Sequence, residues 1–133
     1  MTTANRRTRT SVNVEGYGHQ NPIPAASRVG NMLMSGVITG RDPATGKLPP
    51  SLEEQCANMF RHVRNIVEAA GGTTDNILKI TVWLADPGQR QALNAEWVKM
   101  FPDPASRPAR HTLPSPLSGE SLVQCDVTAV FDD

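Results

Sequence analysis

Apolar and polar residues alternate along this chain with two different periods, and each change of period marks an element. Thr10-Ser11-Val12-Asn13-Val14 alternates residue by residue, as a short edge strand does. Gly16 to Pro24 interrupts it with Gly16, Gly18, Asn21, Pro22 and Pro24, which is loop chemistry of the kind that often lines a site. Ala25 to Arg28 leads to Gly30-Asn31, a hairpin signal that needs positive φ. Met32 to Ile38 then predicts a strand, with Gly36 inside it as a bulge or as a point of close approach for a ligand or another backbone.

The period lengthens after the polar connection Gly40 to Pro50. Ser51-Leu52-Glu53-Glu54 fits a capping box, in which the Ser51 hydroxyl and the Glu54 carboxylate satisfy the first amides of a helix. Leu52, Cys56, Met59, Phe60, Val63, Ile66, Val67 and Ala70 follow at helical spacing, and Gly71-Gly72 ends the run. Arg61, Arg64 and Glu68 belong to the solvated face.

Thr74-Asp75-Asn76 is a short turn or a helix start, and Ile77 to Leu84 is the most strand-like stretch of the chain. Its alternation puts Leu78, Ile80, Val82 and Leu84 on one apolar face, against helices, and Lys79, Thr81 and Trp83 on the other. Asp86-Pro87-Gly88-Gln89 predicts a second helix start, with Asp86 as cap and Pro87 at the first helical position. That helix runs to about Phe101, with Leu93, Trp97 and Phe101 on one stripe and Asn94 and Val98 beside it, and Pro102 and Pro104 stop it. Ala109 to Leu113 and Leu122 to Phe131 are the last strands, separated by the turn-rich Pro114 to Gly119. In the final strand Gln124, Asp126 and Thr128 share one face, which would carry chemistry, and Val123, Cys125, Val127 and Ala129 share the other. The order β-β-α-β-α-β-β predicts an α+β sheet with two amphipathic helices on one side and no glycine-rich phosphate loop. The sheet's second face then needs a cover, which implies self-association.

Composition narrows the function classes. A chain of 133 residues makes one domain over 1–133, with 1–10 as a flexible basic arm. Thirteen Lys and Arg balance thirteen Asp and Glu, so no overall field gathers nucleic acid or an anionic membrane, and Arg6-Arg7-Thr8-Arg9 is the one dense basic cluster. Cys56 and Cys125 form neither a disulfide framework nor a metal motif, and His19, His62 and His111 lack the spacing of a zinc site, so no metal is implied. With no signal-like N-terminus and no apolar run of bilayer length, a soluble cytoplasmic protein is expected.

The chemistry centres on Arg107-Pro108-Ala109-Arg110-His111-Thr112-Leu113. A guanidinium at the start of a half-buried strand is always charged and presents a rigid fork matched to a carboxylate. Pro104 and Pro108 stiffen the approach and pre-aim Arg110. Its carboxylate partner is either a ligand or an acidic neighbour at a strand or subunit edge.

From Asn21 to Val130 the chain resembles the reactive-intermediate deaminase family, also called the YjgF or RidA family. The likeness is carried by Gly30-Asn31-Met32-Leu33 with Ser35-Gly36, by Asn65 to Gly71, by Ile77 to Asp86 and by Arg107-Pro108-Ala109-Arg110, with Asn94 matching a common asparagine. The resemblance implies a chorismate-mutase-like α+β fold, a homotrimer with sites between subunits, and hydrolysis of enamines or imines to a keto acid and ammonia without a cofactor. Arg110 would clamp the substrate's carboxylate and backbone near Gly36 would complete the pocket.

This sequence departs from the family pattern at four places. His111 stands where a small residue is usual, Thr112 where cysteine is common, Ile23 where the first loop often has tyrosine, and Gln124 where the last strand has a water-activating glutamate. Glutamine can hold a water but has no titratable group with which to act as its base. Asp126, two residues on, or Glu120 would supply a carboxylate, and Thr112 shares the face of Arg110 and would donate to substrate, while His111 points the other way. The expected mechanism has Arg110 binding the carboxylate while water held by Gln124 attacks the iminium carbon. Its rivals are a specialised deaminase of an aminomuconate-like ring-cleavage product, a non-catalytic small-molecule-binding regulatory trimer, and a ribonuclease, which the balanced charge disfavours.

Overall fold

The computed structural model describes residues 8–17 and 21–132, so His19 and the Arg6-Arg7 part of the basic arm lie outside the described residues. Among these, seven strands build one mixed sheet: β1 Thr10–Val12, β2 Ala26–Val29, β3 Met32–Ser35, β4 Ile38–Thr39, β5 Ile77–Leu84, β6 Ala109–Pro114 and β7 Val123–Val130. The spatial order is β1-β2-β3-β7-β5-β6, with β4 pairing β7 beyond the end of β3. Every pairing is antiparallel except β5 with β6, which is parallel. Helix α1 spans Leu52–Ala69 and α2 spans Gln91–Met100.

Helix α1 follows from its ends and its stripe. Ser51 Oγ accepts from the Glu54 amide at 3.0 Å. At the other end Gly71, at φ 94, and Gly72 send their amides back to Glu68 and Val67, satisfying two carbonyls that the helix leaves open. Cys56, Met59, Phe60, Val63, Ile66 and Val67 face the sheet. They meet Leu33, Ile38, Ile80, Val82, Leu84, Val123, Cys125, Val127 and Ala129 in one core, completed by Leu93, Trp97 and Phe101. Each Val, Leu, Ile, Met or Phe among them contributes roughly 1.5–3 kcal/mol on leaving water.

Four expectations change in the structure. Ala26–Val29 is itself a strand, pairing β1 and β3, and the turn it enters has Gly30 at φ 59. The expected strand Met32 to Ile38 is broken at Gly36-Val37. Ser35 bridges the break: its Oγ accepts from the Val127 amide at 2.9 Å and donates to the Gly36 carbonyl at 2.8 Å. Gly36 has no positive φ, and a Cβ there would meet nothing nearer than 3.9 Å, so within the chain Gly36 marks a break rather than a close approach.

Leu78 does not join the apolar face of β5. A bulge lies between Ile77 and Lys79, Ile77 enters the core opposite Ala129, and Leu78 is left 61% exposed. The second helix begins at Gln91, not at Asp86. Asp86 closes a turn instead, its Oδ1 accepting from Gly88 and its carbonyl from Gln89, because an aspartate side chain competes for the same local amides in a turn as in a helix cap.

Both helices lie on one side of the sheet. The other side exposes Val29, Met32, Met34 and Leu78 at one end and carries Lys79, Thr81, Trp83, Gln124 and Asp126 toward the other. Among the described residues no helix is long and apolar enough to cross a membrane, and no group of three or more His, Cys, Asp or Glu is placed to hold a metal.

Candidate functional site

Arg110 sits on the edge strand β6, opposite Ile80 of β5. Paired residues of neighbouring strands project to the same face, so Arg110 and Thr112 share the helix face with Ile80 and Val82. Helix α2 lies above them. Arg110 Nη2 donates to Asn94 Oδ1 at 2.9 Å, and its guanidinium carbon stands 4.9 Å from the centre of the Trp97 ring. Arg107 ties the two elements together, its Nε donating to the Phe101 carbonyl at the end of α2 at 2.8 Å.

The partners of Arg110 are therefore a neutral oxygen and a ring. Among the described residues the one ion pair is Lys99 with Glu96, so none of them supplies the acidic neighbour of the second sequence alternative. Burial, and then the charge of Arg90, hold Arg110 below the usual arginine pKa.

Gln124 and Asp126 lie elsewhere. They pair with Trp83 and Thr81 of β5, residues out of phase with Ile80 and Val82, and so project from the opposite face of the sheet. His111, opposite Thr81, shares that face, in agreement with the sequence reading. Gln124 Nε2 stands 3.5 Å from Ser121 Oγ, a marginal contact. Burial raises the pKa of Asp126, against the lowering influence of Lys79. Glu120 is exposed, and its backbone carbonyl accepts from Gln55.

Gly36 lies beside this second group, because the Ser35–Val37 break spans the part of β7 that includes Asp126. Its amide donates to the Ala25 carbonyl at 3.0 Å, so the pocket backbone expected at Gly36 is already engaged within the chain. Ile23, half exposed, lines a cavity of about 390 Å³ with Ser11, Asn13, Tyr17 and Asn21. Tyr17 Oη donates to the Val37 carbonyl at 2.7 Å, which joins this cavity wall to the break. Burial pushes the Tyr17 phenol up to about 12.

One chain thus brings Arg110, Thr112, Asn94 and Trp97 together on the helix side and Gln124, Asp126 and the Gly36 break on the other. Trp97 reads from sequence only as core, and Tyr17 and Ser35 carry no signal beyond their loop and strand positions. Arg90 does carry one: with Asn94 and Trp97 it falls at positions i, i+4 and i+7 of a helical stripe.

The sheet order with two helices on one face defines a YjgF-like α+β domain, and comparison with known proteins agrees. The Endoribonuclease L-PSP family profile matches residues 20–130. A RutC family protein of Aquifex aeolicus is 36% identical over 104 residues, covering 76% of this chain and 81% of its own. The 2-iminobutanoate/2-iminopropanoate deaminase of Escherichia coli K12 is 32% identical over 83 residues, covering 62% of this chain and 65% of its own length, just under two thirds. The crystal structure of the E. coli YjgF gene product superposes with a TM-score of 0.84 at 25% identity, over 92% of this chain and 99% of that one. The chain belongs to the RidA/YjgF/RutC family, as a divergent member.

Proposed function

We propose that this chain is a hydrolase that releases ammonia from an imino or enamino acid, with Arg110 holding the substrate's carboxylate. The observation that carries this reading is the state of Arg110. Its guanidinium is half-buried, aimed by Asn94 and stacked on Trp97, and among the described residues no carboxylate pairs with it. A fork held in that way is preorganised for a planar anion. The name of the E. coli relative supports the substrate class, and the balanced charge favours a small molecule over RNA.

The two residue groups form one site if the Arg110 side of one protomer faces the Gln124 side of the next, as in a ring of copies such as a homotrimer. Thr112 then donates to substrate, Ile23 and Gly36 border the pocket, and Gln124 positions the water. Water adds to the iminium carbon, its proton passes to nitrogen, and ammonia leaves a keto acid. Gln124 holds the water without serving as base, and Asp126 is the carboxylate nearest in sequence on the same face. Iminium carbons are electrophilic enough for positioning to carry much of the rate.

The test is ammonia release from freshly generated 2-aminoacrylate and 2-iminobutanoate, with the wild type beside Arg110→Ala and Gln124→Ala. Acceleration lost in Arg110→Ala supports the reading. Mixing the two inactive variants after dissociation should restore roughly a quarter of the sites, because a ring in random assembly pairs intact halves at that frequency. Gln124 favours a second reading, a non-catalytic carboxylate-binding module, and binding without turnover would select it. Turnover of a ring-cleavage product but of neither small imine would instead select a specialised deaminase.

A further inference from the structure

Arg110 is not the lone cation of its surroundings. Arg90 stands immediately before α2, one turn ahead of Asn94 and two ahead of Trp97, and the Asn94 amide donates to the Arg90 carbonyl at 2.9 Å. Side chains at that spacing lie along one stripe, and Asn94 and Trp97 are the two residues that hold Arg110. Arg90 is exposed and commits only its Nε, to the Pro87 carbonyl at 3.2 Å. Its terminal nitrogens donate to nothing else among the described residues, and neither guanidinium has a carboxylate within ion-pair distance there.

A second guanidinium acting on Arg110, with no acid paired to either among the described residues, is a standing cost unless an anion bridges the two. Burial first, and then the charge of Arg90, lower the Arg110 pKa, and among the described residues no acidic side chain pairs with either arginine. Asn94 is hydrogen-bonded to both residues, to Arg110 through its side chain and to the Arg90 carbonyl through its backbone amide. Its Oδ1 is taken by Arg110, which leaves its amide nitrogen as a donor toward the same space.

We propose that Arg90 and Arg110 form a two-point anion site along α2, so that this chain selects imino acids bearing a second carboxylate over monocarboxylic ones. Arg110 takes the carboxylate next to the imine carbon, Arg90 takes the distal one, and Asn94 donates between them. The inference rests on the deaminase reading for its chemistry and narrows the substrate to the imino dicarboxylic class. The reaction is unchanged: water adds across the carbon–nitrogen double bond, ammonia leaves, and the product is a keto dicarboxylate with both acid groups intact.

The experiment compares two pairs of imines generated in place by amino acid oxidases: from aspartate and glutamate, and from alanine and 2-aminobutyrate. The wild type is expected to show a higher kcat/KM for the dicarboxylic pair. In Arg90→Gln the ratio of dicarboxylic to monocarboxylic kcat/KM should fall about tenfold, the scale of one charged hydrogen bond at an exposed position, and Arg90→Lys should recover part of it. A ratio that is the same in wild type and Arg90→Gln overturns the proposal while leaving the deaminase reading intact. If no imine is turned over, that reading fails by itself, and calorimetric titration with 2-oxoglutarate and 2-oxobutyrate decides the anion site. Tighter binding of 2-oxoglutarate that Arg90→Gln abolishes supports it, and equal or absent binding overturns it.

Discussion

Asn94 steadies Arg110 through a neutral oxygen 2.9 Å away, so the guanidinium is positioned without being neutralised. Asn94→Asp separates these two effects. The new carboxylate should pair with Arg110, raising thermal stability by up to about 1 kcal/mol while weakening binding of a carboxylate ligand about tenfold or more. Thermal unfolding and ligand titration on the same samples check the opposed signs. A variant that is more stable and binds as before would show that Arg110 is not the carboxylate clamp.

Gln55 supplies a second prediction, for stability alone. It lies in α1 with no exposed surface, its Nε2 donates to the Pro49 and Glu120 carbonyls at 2.8 and 3.1 Å, and its Oε1 accepts from the Leu122 amide at 2.9 Å. One amide group thus anchors the loop before α1 and the loop before β7. Gln55→Leu keeps the volume and strands three backbone groups, which should cost roughly 3 kcal/mol in urea unfolding.

The pH dependence of stability should carry the mark of His62. Its ring is buried and its Nε2 donates to the Arg41 carbonyl at 2.8 Å. Burial lowers its pKa below 6.5, and the Arg41 hydrogen bond opposes the shift only in part. The unfolded chain then binds the proton first, so the contribution of His62 is whole above pH 6.5 and is lost as pH falls toward the folded pKa. Asp126 acts in the opposite sense: its pKa is raised above 3.8, so its contribution is whole below that pH and is lost as pH rises through the folded pKa. Thermal midpoints of wild type minus His62→Gln, followed from pH 7 to 5, should therefore decline. A flat difference would mean that His62 protonates as readily in the folded protein as in the unfolded one.

Both thiols should be silent in the native protein. Cys56 and Cys125 are buried, and burial pushes the Cys56 thiol up to about 12 and raises that of Cys125 as well. An aromatic disulfide reagent at pH 8 should label neither until denaturant unfolds the chain, then both together. Rapid labelling of one thiol under native conditions would reveal local opening at that element.

Much of this architecture was legible in the sequence because period and punctuation agreed. Ser51 and Gly71-Gly72 mark both ends of α1 with the residues that cap them, and strict alternation assigns every residue of β7 to its face. Elsewhere one local signal served two outcomes. Asp86 closes a turn with the same side-chain acceptor that would cap a helix. The cluster of Arg110, Asn94 and Trp97 depends on how α2 lies over β6, which no spacing within either element records. The division of Arg110 from Gln124 is subtler still. Each strand reveals its own alternation, but the phase between strands is set by the parallel β5–β6 and antiparallel β5–β7 registers.

The bulge in β5 also bears on how the strand tolerates a change of length. Ile77 pairs with Ala129 and Lys79 with the adjacent Thr128, so Leu78 is a supernumerary residue in an otherwise continuous ladder. Deleting any residue from Ile80 to Trp83 would put the segments on either side out of phase and turn half of the strand's apolar positions toward water. Deleting Leu78 would instead join two halves that are already in phase, which makes it the position in β5 where the chain can lose a residue and keep its pairing.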